Sequence, residues 1–297
     1  MTRVKLLHNE KAGDEDHGKD ALISLIESKG FVCEYSSVKE SGWEKISDKT
    51  DFLIIAGGDG TVRQVIEKLL KRRLIDKKFP MAILPLGTAN NLAKTLEVDV
   101  PIQIALDSWK SFKKVPFDVG KIYGLGKKRF FIEALGYGLF PYLIKSMQKS
   151  PLTEVKTPEE ELRIALTRFS TIMQTYKPSF CKLYIDGKDY SGEYLMVEIM
   201  NIQSIGPNLI LTPDVQVGDG ELDVLLVTEA DRQLLADYIS NKLEGKEERL
   251  LLKVVKGRSI TLLWQGTDAH VDDQRIRNRK PREIRIEIQT SVLEFLV

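Results

Sequence analysis

Short apolar runs that break into glycine or asparagine turns recur through the first third of the chain. Phe52 to Ala56 is long enough for one buried strand, and Gly57-Gly58-Asp59-Gly60-Thr61 ends it. Val62, Val65, Ile66, Leu69 and Leu70 then recur at helical spacing, which predicts a helix from about Thr61. Met81 to Leu84, Gly87-Thr88 and Ala89 to Leu96 repeat the order strand, turn, helix. Val4 to His8 reads as a strand running into Asn9 and Ala12-Gly13. A charged loop at Asp14 to Lys19, a helix at Ala21 to Lys29 stopped by Gly30, a strand at Phe31 to Ser36 and a helix at Ile102 to Phe112 complete the alternation. Strands alternating with helices predict a parallel, doubly wound α/β sheet.

The pattern changes near Val115. Phe117 to Ile122, Lys128 to Gly136, Phe180 to Ile185, Tyr190 to Asn201, Leu222 to Thr228, Leu250 to Val255 and Ser259 to Trp264 all read as strands. Asp186-Gly187 is a hairpin signal. Helices are expected only at Tyr137 to Gln148, Glu159 to Tyr176 and Asp231 to Leu243. The expected division is an α/β domain over 1–114 and a mostly antiparallel β domain over 115–285. Between Lys149 and Lys177, Pro151, Pro158 and Pro178 surround one amphipathic helix. Its face of Leu162, Ile164, Ala165, Leu166, Phe169 and Met173 suits packing on its own sheet better than walling an acyl chain.

Composition narrows the classes. Lys plus Arg is 44 and Asp plus Glu 43, a net charge of +1, which gives no bulk electrostatic support for nucleic-acid binding. The two cysteines, Cys33 and Cys181, sit in apolar strand-like contexts and read as buried thiols of a reducing compartment. With three histidines, no zinc-ligand spacing appears. No run of apolar residues is long enough to span a membrane, and the N-terminus lacks a signal-peptide core. The expected location is cytoplasmic, with any lipid met at the inner membrane face. Oligomeric state stays open, a homodimer included.

Strand, glycine turn and helix together aim free backbone N–H groups at a phosphate. Gly57, Gly58 and Gly60 allow close approach and positive φ, and Thr61 can cap the helix or donate its hydroxyl. Asp59 is out of place in such a turn unless a cation or proton separates it from the phosphate, which points to a Mg²⁺-nucleotide site. The plainer alternative makes Asp59 an ordinary turn residue. Asn90 and Asn91 sit in the second turn, where helix N–H groups and ligand oxygens seek partners. The three strand ends should converge on the carboxyl edge of one sheet, where such sheets bind ligands.

Gly57-Gly-Asp-Gly-Thr61 and Leu84-Pro-Leu-Gly-Thr-Ala-Asn90 resemble the nucleotide motifs of the diacylglycerol kinase catalytic family, which shares its nucleotide fold with NAD kinases. His8-Asn-Glu-Lys-Ala-Gly13 resembles the family's opening Asn-Pro-x-x-Gly motif, with Glu10 in place of proline. The resemblance runs from Val4 to about Val297. It implies a β-sandwich for the second domain, with a last strand near Ile286 to Val297 returning to the first. It also implies ATP as substrate, with Mg²⁺, held by Asn9, Ser37, Gly57 to Thr61, Arg63, Gly87, Thr88, Asn90 and Asn91. A second, structural Mg²⁺ is implied at Asp219, through its carboxylate and the backbone oxygens of Gln216 and Glu221; the alternative is a metal-free Asp-Gly hairpin.

The family's late Asp-Gly-Glu triplet corresponds to Asp272-Asp273-Gln274. An amide cannot take a proton at neutral pH, so Asp272 is the expected base, Asp273 the second choice and Gln274 an orienter. The family's Asn-Glu after the first motif is Arg63-Gln64 here, and its Asn-Asp is Asn90-Asn91. One reading of Arg63 is the neutralisation of a phosphate that metal neutralises elsewhere. The leading expectation is an ATP- and Mg²⁺-dependent kinase acting on a hydroxyl of a diacylglycerol-like lipid. One alternative is a regulatory protein that binds nucleotide or lipid with weakened catalysis. The other is a NAD kinase-like enzyme, against which Leu84 to Asn91 argues.

Overall fold

The computed structural model describes residues 1–12, 17–71, 77–149, 157–246, 248–277 and 280–297; Gly13, residues 14–16 of the charged loop and Pro151 fall outside them. The chain divides into two compact units, residues 1–117 with 291–297, and residues 118–290.

In the first unit the order is β1 (Arg3–His8), α1 (Lys19–Ser28), β2 (Val32–Ser37), β3 (Phe52–Gly57), α2 (Asp59–Leu69), β4 (Met81–Pro85), α3 (Asn91–Thr95) and α4 (Ile102–Ser108). The strands β4, β3, β1 and β2 lie side by side and are all parallel, with Leu6 opposite both Tyr35 and Ile54. Burial on both faces explains the unbroken apolar run Phe52–Ala56, every residue of which is buried. Val4, Leu6, Ile54 and Leu84 pack with Leu22 and Ile26 of α1 and with Ala105 and Leu106 of α4.

The second unit holds β5 (Lys114–Tyr123, which begins in the first unit), β6 (Phe130–Phe131), β7 (Ala134–Gly138), α5 (Leu139–Lys149), α6 (Pro158–Thr175), β8 (Ser179–Ile185), β9 (Lys188–Asp189), β10 (Gly192–Tyr194), β11 (Met196–Met200), β12 (Ser204–Ile205), β13 (Leu209–Ile210), β14 (Leu222–Val227), α7 (Arg232–Leu243), β15 (Lys253–Gly257), β16 (Ser259–Trp264), β17 (Asp268–Val271), β18 (Gln274–Arg277) and most of β19 (Glu283–Leu296). One sheet runs β10-β8-β16-β19 and the other β15-β14-β11-β7-β17-β18, all antiparallel. Their facing residues, among them Leu183, Leu262 and Ile284 against Val197, Ile199 and Val224, form a sandwich core. The far face of the second sheet carries Met196, Met200 and Leu225, packed with Phe140 of α5, Phe169 and Met173 of α6 and Leu235 of α7. The apolar face of α6 therefore packs on its own unit.

The short strands β12 and β13 and the hairpin β17–β18 were not expected, and three expected elements take a different form. The helix after the glycine turn begins at Asp59, two residues early. The stretch Tyr190 to Asn201 is split: β10 pairs with β8 in one sheet, and β11 pairs with β14 in the other. Leu195 makes the crossing; its carbonyl accepts from Leu139 N–H, and Gly138, at φ 99°, leaves the room for that approach. Lys128 to Gly136 is broken likewise, because the N–H groups of Ile132 and Glu133 turn away from any strand to a carboxylate.

Candidate functional site

The first unit gathers three loops at the carboxyl ends of adjacent strands β1, β3 and β4. Asn9 follows β1, and its Nδ2 donates to Thr61 Oγ1 at 3.1 Å. The Asn9 Oδ1 is buried and has no hydrogen-bond partner among the described residues. Gly58 and Gly87 meet backbone to backbone. A Cβ on Gly87 would stand 2.4 Å from the Gly58 Cα, and one on Gly58 would stand 2.9 Å from the Gly87 Cα. The loops touch because neither residue has a side chain. Gly57, Gly58, Gly60 and Gly87 are not among the positive-φ residues, so close approach is what demands glycine here, and the expected left-handed turn is not formed. The left-handed residue is Asn90, at φ 52°, whose Oδ1 accepts from Gly87 N–H at 3.0 Å.

Asp59 is the clasp between the two turns. Its Oδ2 accepts from Asn91 N–H at 3.0 Å and its Oδ1 from Leu92 N–H at 3.1 Å. The carboxylate thus caps α3 from the neighbouring loop, satisfying N–H groups that the helix leaves open. This anchoring gives the acid a structural place in the turn, as the turn-residue alternative expects. Thr61 is no cap either: Gly58 holds that place without a side-chain bond, and the buried Thr61 hydroxyl receives Asn9. Arg63 folds back over its own turn, with Nη2 3.6 Å from where a Gly60 Cβ would be. Gln64 donates to Val38 O at 3.0 Å, and Thr88 is exposed. Ser37 is buried at the end of β2, its Oγ accepting Lys39 N–H at 3.3 Å, a local turn bond.

In the second unit the expected base is enclosed. Asp272 is 4% exposed, and its Oδ1 accepts from the N–H groups of Ile132 at 3.1 Å, Glu133 at 2.9 Å and Ala134 at 3.4 Å. A carboxylate spread over three backbone donors holds a turn; it is poorly placed to collect a proton from an acceptor hydroxyl. Asp273, in the same turn, is half-buried, and Gln274 is exposed at the start of β18.

Beneath that turn lies a buried polar network. The His270 ring sits between the Asp272 carbonyl, which meets Nδ1, and Glu198 Oε2, 2.7 Å from Nε2. A carbonyl only accepts, so Nδ1 carries a hydrogen. Both side chains are fully buried. Burial works against a charged His270, but the Glu198 carboxylate outweighs it and raises the pKa; burial alone raises that of Glu198. One proton is therefore held between them. Gly136 of β7 lies in register between Glu198 of β11 and His270 of β17. A Cβ on Gly136 would stand 1.9 Å from Glu198 Oε2, so glycine opens the space in which the pair meets. Asn201, also buried, donates through Nδ2 to the carbonyls of Asp118 at 2.9 Å and Ile132 at 3.0 Å.

The residues expected to hold a structural metal do not fit one. Asp219 Oδ2 accepts from Lys256 Nζ at 2.6 Å, and Oδ1 from Glu221 N–H at 3.0 Å. The Gln216 carbonyl faces Asp219 N–H at 3.5 Å. Among the described residues no group of three or more His, Cys, Asp or Glu is arranged to hold a metal ion.

Glu198, His270, Asn201, Asp118 and Lys256 escaped the sequence reading. The available signal was a charged or polar residue inside an apolar strand, as in Met196-Val-Glu-Ile-Met200 and Ala269-His-Val271, which requires a buried partner.

Residues 3–122 match the diacylglycerol kinase catalytic domain, and residues 149–272 match the YegS C-terminal NAD kinase beta sandwich-like domain. A diacylglycerol kinase of Bacillus subtilis (strain 168) is 23% identical over 297 residues, covering 97% of this chain and 86% of that protein. A crystal structure of a diacylglycerol kinase from Bacillus anthracis str. Sterne superimposes with TM-score 0.72 at 24% identity, covering 99% of this chain and 96% of the other. Yeast NADH kinase complexed with NADH shares the fold at TM-score 0.51 and 10% identity, covering 100% of this chain and 82% of the other. An α/β unit with its strand-end loops, followed by a β-sandwich, and both domain matches in that order give this chain a diacylglycerol kinase catalytic domain and a YegS C-terminal NAD kinase beta sandwich-like domain, the make-up of a kinase.

Proposed function

We propose that this chain transfers the γ-phosphoryl group of ATP to a hydroxyl of a diacylglycerol-like lipid. The observation that carries the reading is the convergence of Asn9, Gly57–Thr61 and Gly87–Asn91 on one sheet edge, with Gly58 against Gly87. That edge offers backbone N–H groups at the start of α2, whose N-cap has no side-chain bond, to the nucleotide phosphates. Asp59 keeps the two glycine loops together, Asn9 and Thr61 tie in the third, and Arg63 stands beside the turn as a counter-charge. Mg²⁺ bound to the nucleotide would offset the phosphate charge. The acceptor oxygen loses its proton to Asp273, forms the new P–O bond, and ADP leaves. Asp272 holds the turn that presents Asp273. No helix among the described residues is long and apolar enough to cross a membrane, so the lipid would be met at a bilayer surface.

Incubation with Mg²⁺, labelled ATP and a total lipid extract should yield a labelled phospholipid. Asp273→Asn should lower turnover by roughly 10²–10⁴-fold with ATP affinity kept, the range for loss of a general base. A second reading, a nucleotide-binding regulatory protein with weakened catalysis, is favoured by the Gln274 amide and by the tied Oδ1 of Asp272. Nucleotide binding without phosphate transfer to any lipid class would establish it in place of the first.

A further inference from the structure

The loop before β14 concentrates acids: Asp214, Asp219, Glu221 and Asp223 fall within ten residues. Two cations from the neighbouring stretch of chain meet them. Arg249 pairs with Asp214, and Lys256 of β15 reaches Asp219 at 2.6 Å and Asp223 at 3.7 Å. The placement of Lys256 is set by the sheet, because β14 and β15 pair antiparallel with Asp223 directly opposite Lys256. Side chains so placed are neighbours, and the four-carbon stem of lysine carries the ammonium past Asp223 to Asp219. The rest of the loop is closed by protein groups. Gly220 N–H donates to the buried Asp118 Oδ2 at 2.8 Å, and Asp118 N–H donates to Val217 O at 2.8 Å.

We infer that the Lys256 ammonium is the resident cation of this loop, doing internally what a bound divalent ion would otherwise do, so that the β-sandwich unit folds without a structural metal. A divalent ion needs about six or more oxygens around it, and at this place the Asp219 carboxylate is already shared between an ammonium and a backbone N–H. A divalent ion beside Lys256 would also meet its charge at close range.

Melting curves in Mg²⁺ and in EDTA, both without nucleotide, test this independently of any kinase activity. The parent protein should melt at the same temperature in both and carry well below one equivalent of divalent metal by elemental analysis. Lys256→Met should melt about 2–8 °C lower in EDTA and recover part of that loss in Mg²⁺. Adding Asp219→Asn to Lys256→Met should abolish the recovery. A parent that retains one equivalent of metal, or melts lower in EDTA, overturns the inference, as does a Lys256→Met protein indifferent to both substitution and Mg²⁺. If Lys256→Met does not fold, the metal content and EDTA response of the parent decide the matter.

Discussion

Asp59 shows how one carboxylate ties two loops together. It accepts the N–H groups of Asn91 and Leu92, so Asp59→Asn removes an acceptor from the start of α3. That substitution should lower stability by about 0.5–2 kcal/mol, the usual worth of a cap, and weaken ATP binding in parallel. Thermal melting with and without nucleotide checks it; full loss of turnover at parental stability and affinity would return Asp59 to the chemistry. The buried pair gives a pH signature. His270 in the fold holds its proton above the ordinary histidine value of 6.5, and Glu198 is likewise raised. The native state therefore binds more protons than the unfolded chain. The pair's contribution is complete below about 6.5 and is lost as pH rises through the native value. Urea unfolding between neutral and alkaline pH should show this fall. Glu198→Gln leaves His270 with burial as the dominant influence, which lowers its pKa, so the slope should reverse. A parent profile flat across that range would contradict the shared proton.

At the level of elements, three neighbouring strands form one working row. Glu198, Gly136 and His270 lie side by side on β11, β7 and β17, on the face covered by α5, where Phe140 meets the His270 ring edge-on at 4.8 Å. Gly136→Ala inserts a methyl where the Glu198 carboxylate stands, and overpacking of that kind costs about 1–3 kcal/mol or more. Glu198→Ala in the same chain frees the space, so the double variant should recover part of the loss of Gly136→Ala. Additive losses by chemical denaturation would mean that the strands shift instead of clashing. The glycine loops of the first unit follow the same logic. A methyl on Gly58 or Gly87 must push two backbones apart, and side-chain rotation gives no relief.

For the whole molecule, the decisive feature is that chain ends share a unit. Residues 291–297 return to the first unit, where Phe295 pairs with Met81 of β4 and stacks edge-on against Phe117 at 5.2 Å. Lys113 and Val297 exchange both backbone hydrogen bonds. Phe295 is fully buried, so Phe295→Ala should cost about 3–5 kcal/mol, borne by the first unit. Trp43 and Trp109 report on that unit and Trp264 on the other, so tryptophan fluorescence in a Trp264→Phe background separates them. A Trp43 and Trp109 transition that Phe295→Ala leaves unmoved in that background would refute the assignment.

Sequence alone determined the alternation of strands and helices in the first unit, the strand-rich second unit and the three strand-end turns, and the resemblance those turns carry added the β-sandwich and the kinase reading. Those features are written in local patterns: apolar runs of strand length, helical spacing, and glycines at strand ends. The partners of the polar groups that hold loops and strands together were settled only by the tertiary structure. Asp59 reaches residues 91 and 92, Glu198 reaches His270, Asp272 reaches residues 132–134, and Lys256 reaches Asp219. Each is joined to a group tens of residues away, and no local period encodes which distant group a strand register will set opposite it. The reason for glycine at 58 and 87 was hidden in the same way. A turn that needs positive φ and a turn that needs a neighbour's backbone at close range look alike in sequence, and only the packing of one loop on the other distinguishes them.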